Sequence, residues 1–236
     1  MTQRNTNKAS TPDRESVCGQ DTAHLAPLAD TVMLHQLVIE PLQHLCALAR
    51  EQGIELAVAS GYRSFERQLL IWNGKASGQR PVFDSQGRPI DMNTLSDRDK
   101  VFAILRWSAL PGASRHHWGT DMDVWDRAAV GDDYRLELVP GEYAPGGPFA
   151  RLGAWLDSPE FAASGFYRPY FQPNRRDDGV APEPWHLSYR PVAQQFEQCL
   201  SPALLAGVIA GSELSLKDTV LEHLDEIFAR FVRCSG

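Results

Sequence analysis

The sequence predicts an α+β fold, a small and mostly antiparallel sheet flanked by helices, and three observations carry that prediction. Residues 54–58, 121–125 and 185–189 alternate apolar and polar side chains with the period of two that marks a half-buried strand. Apolar residues at helical spacing fill much of the chain around them. Long loops rich in Gly, Pro and Asp separate strands from helices, a pattern that suits a small sheet with segregated helices.

The elements follow in order. Residues 1–22 mix Thr, Asn, Ser and charges without periodicity and read as a flexible tail. A helix is expected over about residues 31–52, with Leu34, Val38, Leu42, Leu45 and Leu48 among its apolar positions. Pro41 should kink or divide it and Gly53 should end it. In the first strand, Ile54, Leu56 and Val58 take the core face. The chain then turns at Ser60 and Gly61, and Ser64 is placed to cap a helix carrying Phe65, Leu69 and Trp72. Residues 73–91 are rich in turn formers, with a hairpin turn at 84–87. Ser96 should cap the next helix, with Val101, Ile104 and Leu105, until Pro111 and Gly112 stop it. In the second strand Met122 and Val124 face one way, Asp121 and Asp123 the other. Residues 126–148 form a long connection with a short strand at 136–139, followed by a helix over 150–163. From residue 192 onward the chain reads as helical, with a stripe of Leu216, Val220, Leu224, Ile227 and Phe231. The expected division is a tail over 1–22, a main domain over 23–191, and a helical C-terminal extension over 192–236 packed on it.

Composition narrows the function classes. Of 236 residues, 43% are hydrophobic and 22% charged, ordinary globular usage that excludes wholesale disorder. The net charge of −7, with no run of Lys and Arg, argues against nucleic acid or an anionic membrane as partner. The longest nearly uncharged apolar stretch, residues 200–211, is too short for a bilayer span, which needs about 20 residues. Residues 1–22 hold no apolar core of a signal peptide, so the chain as it stands reads as cytoplasmic. Cys18, Cys46, Cys199 and Cys234 are too widely spaced for a CxxC metal site and read as reduced thiols.

Three segments can do chemistry: residues 60–64 (Ser-Gly-Tyr-Arg-Ser), 114–123 (Ser-Arg-His-His-Trp-Gly-Thr-Asp-Met-Asp) and 183–186 (Glu-Pro-Trp-His). A catalytic zinc site takes three protein ligands and keeps a fourth position open. His116, Asp123 and His186 can supply two imidazoles and a carboxylate, and the alternation lets Asp123 and His186 face one cleft. A hydrogen-bonded polar cluster without metal is the other reading of the same residues. Glu183 lies three residues before His186, which in a regular strand puts it on the opposite face. Pro182 and Pro184 break that regularity, so an irregular entry can swing Glu183 over the site as a general base. His117 is a further ligand candidate beside His116, or else a residue that supports the ligands or packs behind them, and His24, His35, His44 and His223 read as structural or exposed.

Together the segments resemble the LAS metallopeptidases, specifically the VanY-type D-alanyl-D-alanine carboxypeptidases. The signature there is Ser-x-His-x-x-Gly-x-Ala-x-Asp, then Glu-x-Trp-His, with Tyr-Arg-Ser upstream. Here these are residues 114–123, 183–186 and 62–64, and Asp121 stands at the usual Ala position. The upstream element continues through Gln68, and Gly165 to Tyr170 also matches, so the likeness covers roughly residues 54–191. The resemblance implies a hedgehog/DD-peptidase-like fold and one zinc per chain held by His116, Asp123 and His186. It implies Glu183 as general base for a metal-activated water, Arg63 on the substrate carboxylate or the developing oxyanion, and Gln68 and Ser114 near the substrate. The implied reaction is hydrolysis of peptides or muropeptides ending in D-amino acids, D-Ala-D-Ala first, without an acyl-enzyme. An endopeptidase or D,D-dipeptidase of the same fold, or a zinc-bearing binding module like the hedgehog domains, are the rivals. Asp121 adds a carboxylate near the site and leaves local charge and substrate preference open.

Overall fold

The computed structural model describes residues 11–29, 31–171 and 178–233. In chain order the elements are α1 (Arg14–Val17), β1 (Leu25–Ala29), β2 (Val32–His35), α2 (Gln36–Glu51), β3 (Leu56–Ser60), α3 (Phe65–Ala76) and α4 (Asp97–Leu105). There follow β4 (Asp121–Asp126), α5 (Pro140–Tyr143), α6 (Ala150–Trp155), α7 (Pro159–Ala163), β5 (Phe166–Tyr167) and β6 (His186–Tyr189). Four α-helices follow, α8 (Arg190–Cys199), α9 (Pro202–Ala210), α10 (Lys217–Glu222) and α11 (Leu224–Ile227), and a π-helical turn over Phe228–Val232 continues the last. The α+β prediction stands: β3-β4-β6-β5 form one antiparallel sheet, and β1 and β2 a separate hairpin. No helix among the described residues is long and apolar enough to cross a membrane.

Sequence chemistry explains most boundaries. Ser64 and Ser96 cap α3 and α4 as expected, each accepting a hydrogen bond from the backbone N–H three residues on. Gly53 follows α2 with φ +71°, a conformation that a side chain disfavours. The turn at 84–87 closes with Asp84 N–H donating to the Arg88 carbonyl at 2.9 Å. Cys18, Cys46 and Cys199 are free thiols, while Cys234 lies outside the described residues.

Five expectations are corrected. The helix capped by Ser96, expected to run until Pro111 and Gly112 stop it, ends at Leu105, and Trp107 N–H closes a turn on the Ile104 carbonyl. Within 11–22, residues 14–17 are helical, and Val17 and Cys18 are fully buried where a flexible tail is expected. Trp118 secures them by donating its indole N–H to the Val17 carbonyl. Residues 1–10 of that tail lie outside the described residues. The helix expected from residue 31 begins only at Gln36, because residues 32–35 pair with β1 instead. A short apolar run fits either period, and tertiary pairing decides. The strand expected at 136–139 is a loop: Glu142 accepts from the amides of Glu137 and Val139, and Leu138 between them takes φ +54°. The helix expected over 150–163 is two helices, broken where Ser158 caps a new start at Pro159. Pro41, by contrast, sits inside α2 without dividing it.

Two apolar cores flank the functional face. Met122, Val124 and Leu187 point from the sheet into one core, with Val38, Leu42 and Leu45 of α2 and Leu152 of α6. Phe65 and Trp72 of α3, Ile104 of α4 and the stripe Val220, Leu224, Ile227 and Phe231 share the other. The C-terminal helices therefore bury their apolar stripe against α3 and α4. Trp72 adds a long-range tie, donating its indole N–H to the Ser215 carbonyl at 2.9 Å.

Candidate active site

Strand register brings the polar side chains together. In the β4–β6 ladder Asp123 lies directly opposite His186, and Asp121 opposite Ser188. Opposed residues share a face, so all four project away from the core that takes Met122 and Leu187. His116 arrives on a short 3-10 turn, Arg115–Trp118, ended by Gly119 at φ +66°. A Cβ on Gly119 would come within 2.7 Å of the His35 backbone N, so glycine is required there twice over.

The two imidazoles are oriented in opposite senses. His116 Nδ1 lies 2.8 Å from the Gly61 carbonyl, to which it can only donate, leaving Nε2 lone-paired. His186 Nε2 lies 3.0 Å from Asp121 Oδ1, leaving Nδ1 toward the cleft. The free nitrogens meet Asp123: His116 Nε2 is 3.5 Å from Oδ2, and His186 Nδ1 is 3.3 Å from Oδ1. Donors about 2.0–2.1 Å from a tetrahedral ion stand roughly 3.3 Å apart, so the spacing suits zinc. Asp123 Oδ1 is buried and makes no hydrogen bond of acceptable geometry, an orphan that a cation would satisfy. Among the described residues, His116, Asp123 and His186 are the one such group with donor atoms all within 4.8 Å of one another.

Electrostatics run the same way. Burial alone would raise Asp123, but the His116 and His186 imidazoles outweigh it and hold it well below the usual carboxylate range. Burial likewise opposes charge on His186, yet Asp121 and Asp123 keep it up at about 9. Burial lowers His116, only partly offset by Asp123.

Around this group lies a cleft of about 210 Å³ that contains Arg63, Ser114, Glu183, Tyr170, Trp185 and Leu138. Glu183 enters as the prolines suggest: the chain at 184–185 is a turn, His186 N–H donates to the Glu183 carbonyl, and Glu183 Oε2 is 3.5 Å from His186 Nδ1. Arg63 is half-buried and donates from Nη1 to Gln68 Oε1 at 3.0 Å, while Gln68 Nε2 donates to the Ala109 carbonyl at 2.7 Å. Burial lowers the Arg63 pKa, and the carboxylates of Asp123 and Glu183 oppose that. Ser114 is buried at the cleft wall. Arg63, Ser114, His116, Asp123, Glu183 and His186 thus line one cleft, whereas Gln68 is fully buried and reaches it only through Arg63.

His117 does not join them. It is fully buried, donates from Nδ1 to the Arg63 carbonyl at 2.6 Å, and accepts at Nε2 from Gly112 N–H at 3.1 Å. Burial pushes its pKa down to about 3, so it stays neutral and structural. His117→Ala is expected to retain metal, checked by metal content after dialysis. It should also lower Tm, since each buried group left unpaired costs roughly 1–3 kcal/mol.

Sequence reasoning did not nominate Arg115 or Leu138. Arg115 is buried behind the ligands and pairs with Asp121 at 2.7 Å. Leu138 is held over the cleft by the Glu142 clamp. Arg115 goes unannounced because its partners Ser188 and Glu197 are distant in sequence, and Leu138 because its segment, expected as a strand, is a loop without helical or strand period.

Comparisons with known proteins give the family and the fold likeness. Residues 31–192, more than half of the chain, match the VanY family, described as D-alanyl-D-alanine carboxypeptidase. An uncharacterized protein of Haemophilus influenzae is 35% identical over 127 residues, covering 52% of this chain and 92% of that protein. A D-alanyl-D-alanine carboxypeptidase of Enterococcus faecalis is 30% identical over 148 residues, 63% of this chain and 45% of that protein. In fold the chain is similar to a mutant of the vancomycin-resistance D,D-pentapeptidase VanY solved with Zn(II). The TM-score is 0.50 at 24% identity, over 83% of this chain and 88% of that one. With the three-donor group, the cleft and the family match in agreement, this chain belongs to the VanY family of D-alanyl-D-alanine carboxypeptidases.

Proposed function

We propose that the protein is a zinc-dependent carboxypeptidase acting on peptides with C-terminal D-amino acids, D-Ala-D-Ala ends first. The observation that carries this reading is one cleft holding a three-donor cluster, a carboxylate 3.5 Å from one donor, and a half-buried guanidinium. His116, Asp123 and His186 would hold one zinc ion and leave a position open. That ion, when bound, supplies a Lewis acid that polarises the scissile carbonyl and brings the pKa of a water from 15.7 toward about 7.

The chain's own residues do the rest. Glu183 accepts a proton from the attacking water and passes it to the leaving amine, a role worth about 10²–10⁴-fold. Arg63 grips the substrate's terminal carboxylate with its planar fork, and Gln68 holds that fork in place. Ser114, buried at the same wall, is in position to contact the substrate. Tyr170, Trp185 and Leu138 wall the cleft with apolar surface and limit water there.

Arg63 provides the test that separates a carboxypeptidase from an internal-bond cutter. With zinc-loaded protein and a D-Ala-D-Ala peptide, D-Ala release is read by mass spectrometry. Amidating the terminus should remove a charge-assisted contact of roughly 1.5–3 kcal/mol, about 10–200-fold in kcat/KM. Arg63→Ala should lose comparably on the free acid and much less on the amide. Coupling near zero in this enzyme–substrate cycle would sink the terminal-carboxylate role and favour an endopeptidase.

A further inference from the structure

Asp121, the departure from the family signature, sits behind His186 and not in front of it. Its side chain is wholly buried, and both oxygens are fully used. Oδ1 accepts from Arg115 Nε at 2.7 Å and His186 Nε2 at 3.0 Å. Oδ2 accepts from Thr120 Oγ1 at 2.6 Å and Ser188 Oγ at 3.0 Å. With no acceptor capacity left, Asp121 is not itself a ligand. Arg115 balances its charge and is in turn fixed by Glu197, by Tyr167 Oη at 2.8 Å and by Ser188 Oγ at 2.8 Å. A carboxylate so enclosed can do one thing for the cleft: hold the imidazole in front of it.

We infer that Asp121 is a positioning residue that locks His186 as the Nε2–H tautomer, with Nδ1 aimed at the metal. A half-turn of the ring about its Cβ–Cγ bond would place carbon where Nδ1 stands. It would also break the Nε2–H bond to Asp121, leaving a buried carboxylate oxygen short of a donor. The lock therefore penalises the one ring flip that destroys the ligand. Donation to a carboxylate also makes the opposite nitrogen a stronger base toward a cation. Because Glu197 lies on α8, the network ties the ligand to the first C-terminal helix as well as to β4 and β6.

This inference rests on the zinc reading above, and the experiment distinguishes the two. Zinc affinity is measured by chelator competition for the intact chain and for Asp121→Ala and Asp121→Asn. Ring-nitrogen NMR of the zinc-loaded protein reports the His186 tautomer. Asp121→Ala should weaken zinc binding about 10–100-fold, and Asp121→Asn about tenfold. Asn keeps the shape, and the Thr120 and Ser188 hydroxyls can turn to accept from its amide, so this variant should fold. In the unmodified protein, His186 should carry its proton on Nε2, slow to exchange, and exchange should quicken in both variants. Affinities within about twofold of the unmodified chain, with loss of zinc in His116→Ala, would overturn the lock and leave the zinc reading standing. A zinc-loaded protein with the His186 proton on Nδ1 would overturn the lock without any variant. A chain that takes up no zinc would overturn both.

Discussion

Zinc is expected to be lost when either imidazole is removed, by His116→Ala or His186→Ala. With three protein donors there is no spare: the loss of one leaves a carboxylate and a single imidazole. Structural zinc in four-ligand sites binds with about 10–16 kcal/mol in all, so one ligand accounts for roughly 3–4 kcal/mol, or about 10²–10³-fold in affinity. Metal content after dialysis against a weak chelator is the measurement. Stoichiometric zinc in both variants would show the ligand set to be wrong. Each variant also strips Asp123 of a buried partner, and His186→Ala strips Asp121 of one too. Circular dichroism therefore accompanies the assay, to separate loss of metal from loss of fold. His117→Ala is the matched control, a buried histidine beside the site whose nitrogens are both spent on backbone groups.

The second large effect is kinetic. Glu183→Gln should keep metal and fold but lower kcat by at least about 10²-fold, since the amide preserves shape and cannot take up the proton. Glu183 Oε2 stands 3.5 Å from His186 Nδ1, beside the donor cluster and within reach of an attacking water. The amide matches the carboxylate in size and can still accept a hydrogen bond, so the substitution should cost little in Tm. Near-normal kcat in the Gln variant would remove Glu183 from the mechanism. A large fall in Tm would instead mark it as structural.

Much of the site was legible because its residues lie in short, chemically dense segments. His116, Asp123 and His186 are polar residues on recognisable strands or turns, and Pro182 and Pro184 announced the irregular entry of Glu183. The same prolines, and the left-handed Gly119, are local instructions that act whatever the rest of the chain does. Where the reading went astray, the local signal was weak. The run 31–35 fits a strand or a helix, and only pairing with β1 decides it. The N-terminal segment around Val17 has no strong period of its own and is ordered by packing and by the Trp118 bond.

By itself, then, the sequence determined the α+β class, the caps of α3 and α4, the alternation of β4 and β6, and the short segments from which the candidate site is drawn. These follow from side-chain period, turn chemistry and motif, all written within a few residues. Tertiary structure alone decided what those residues do to one another. Antiparallel register set Asp123 against His186, and the same register placed Asp121 behind the ring rather than beside the ligands. Tertiary packing also joined Tyr167 and Glu197, both half-buried, to the buried Arg115–Asp121 pair. A charge can be buried only where partners from several elements converge to satisfy it. That convergence spans Arg115 to Glu197 and has no trace in any single window of sequence.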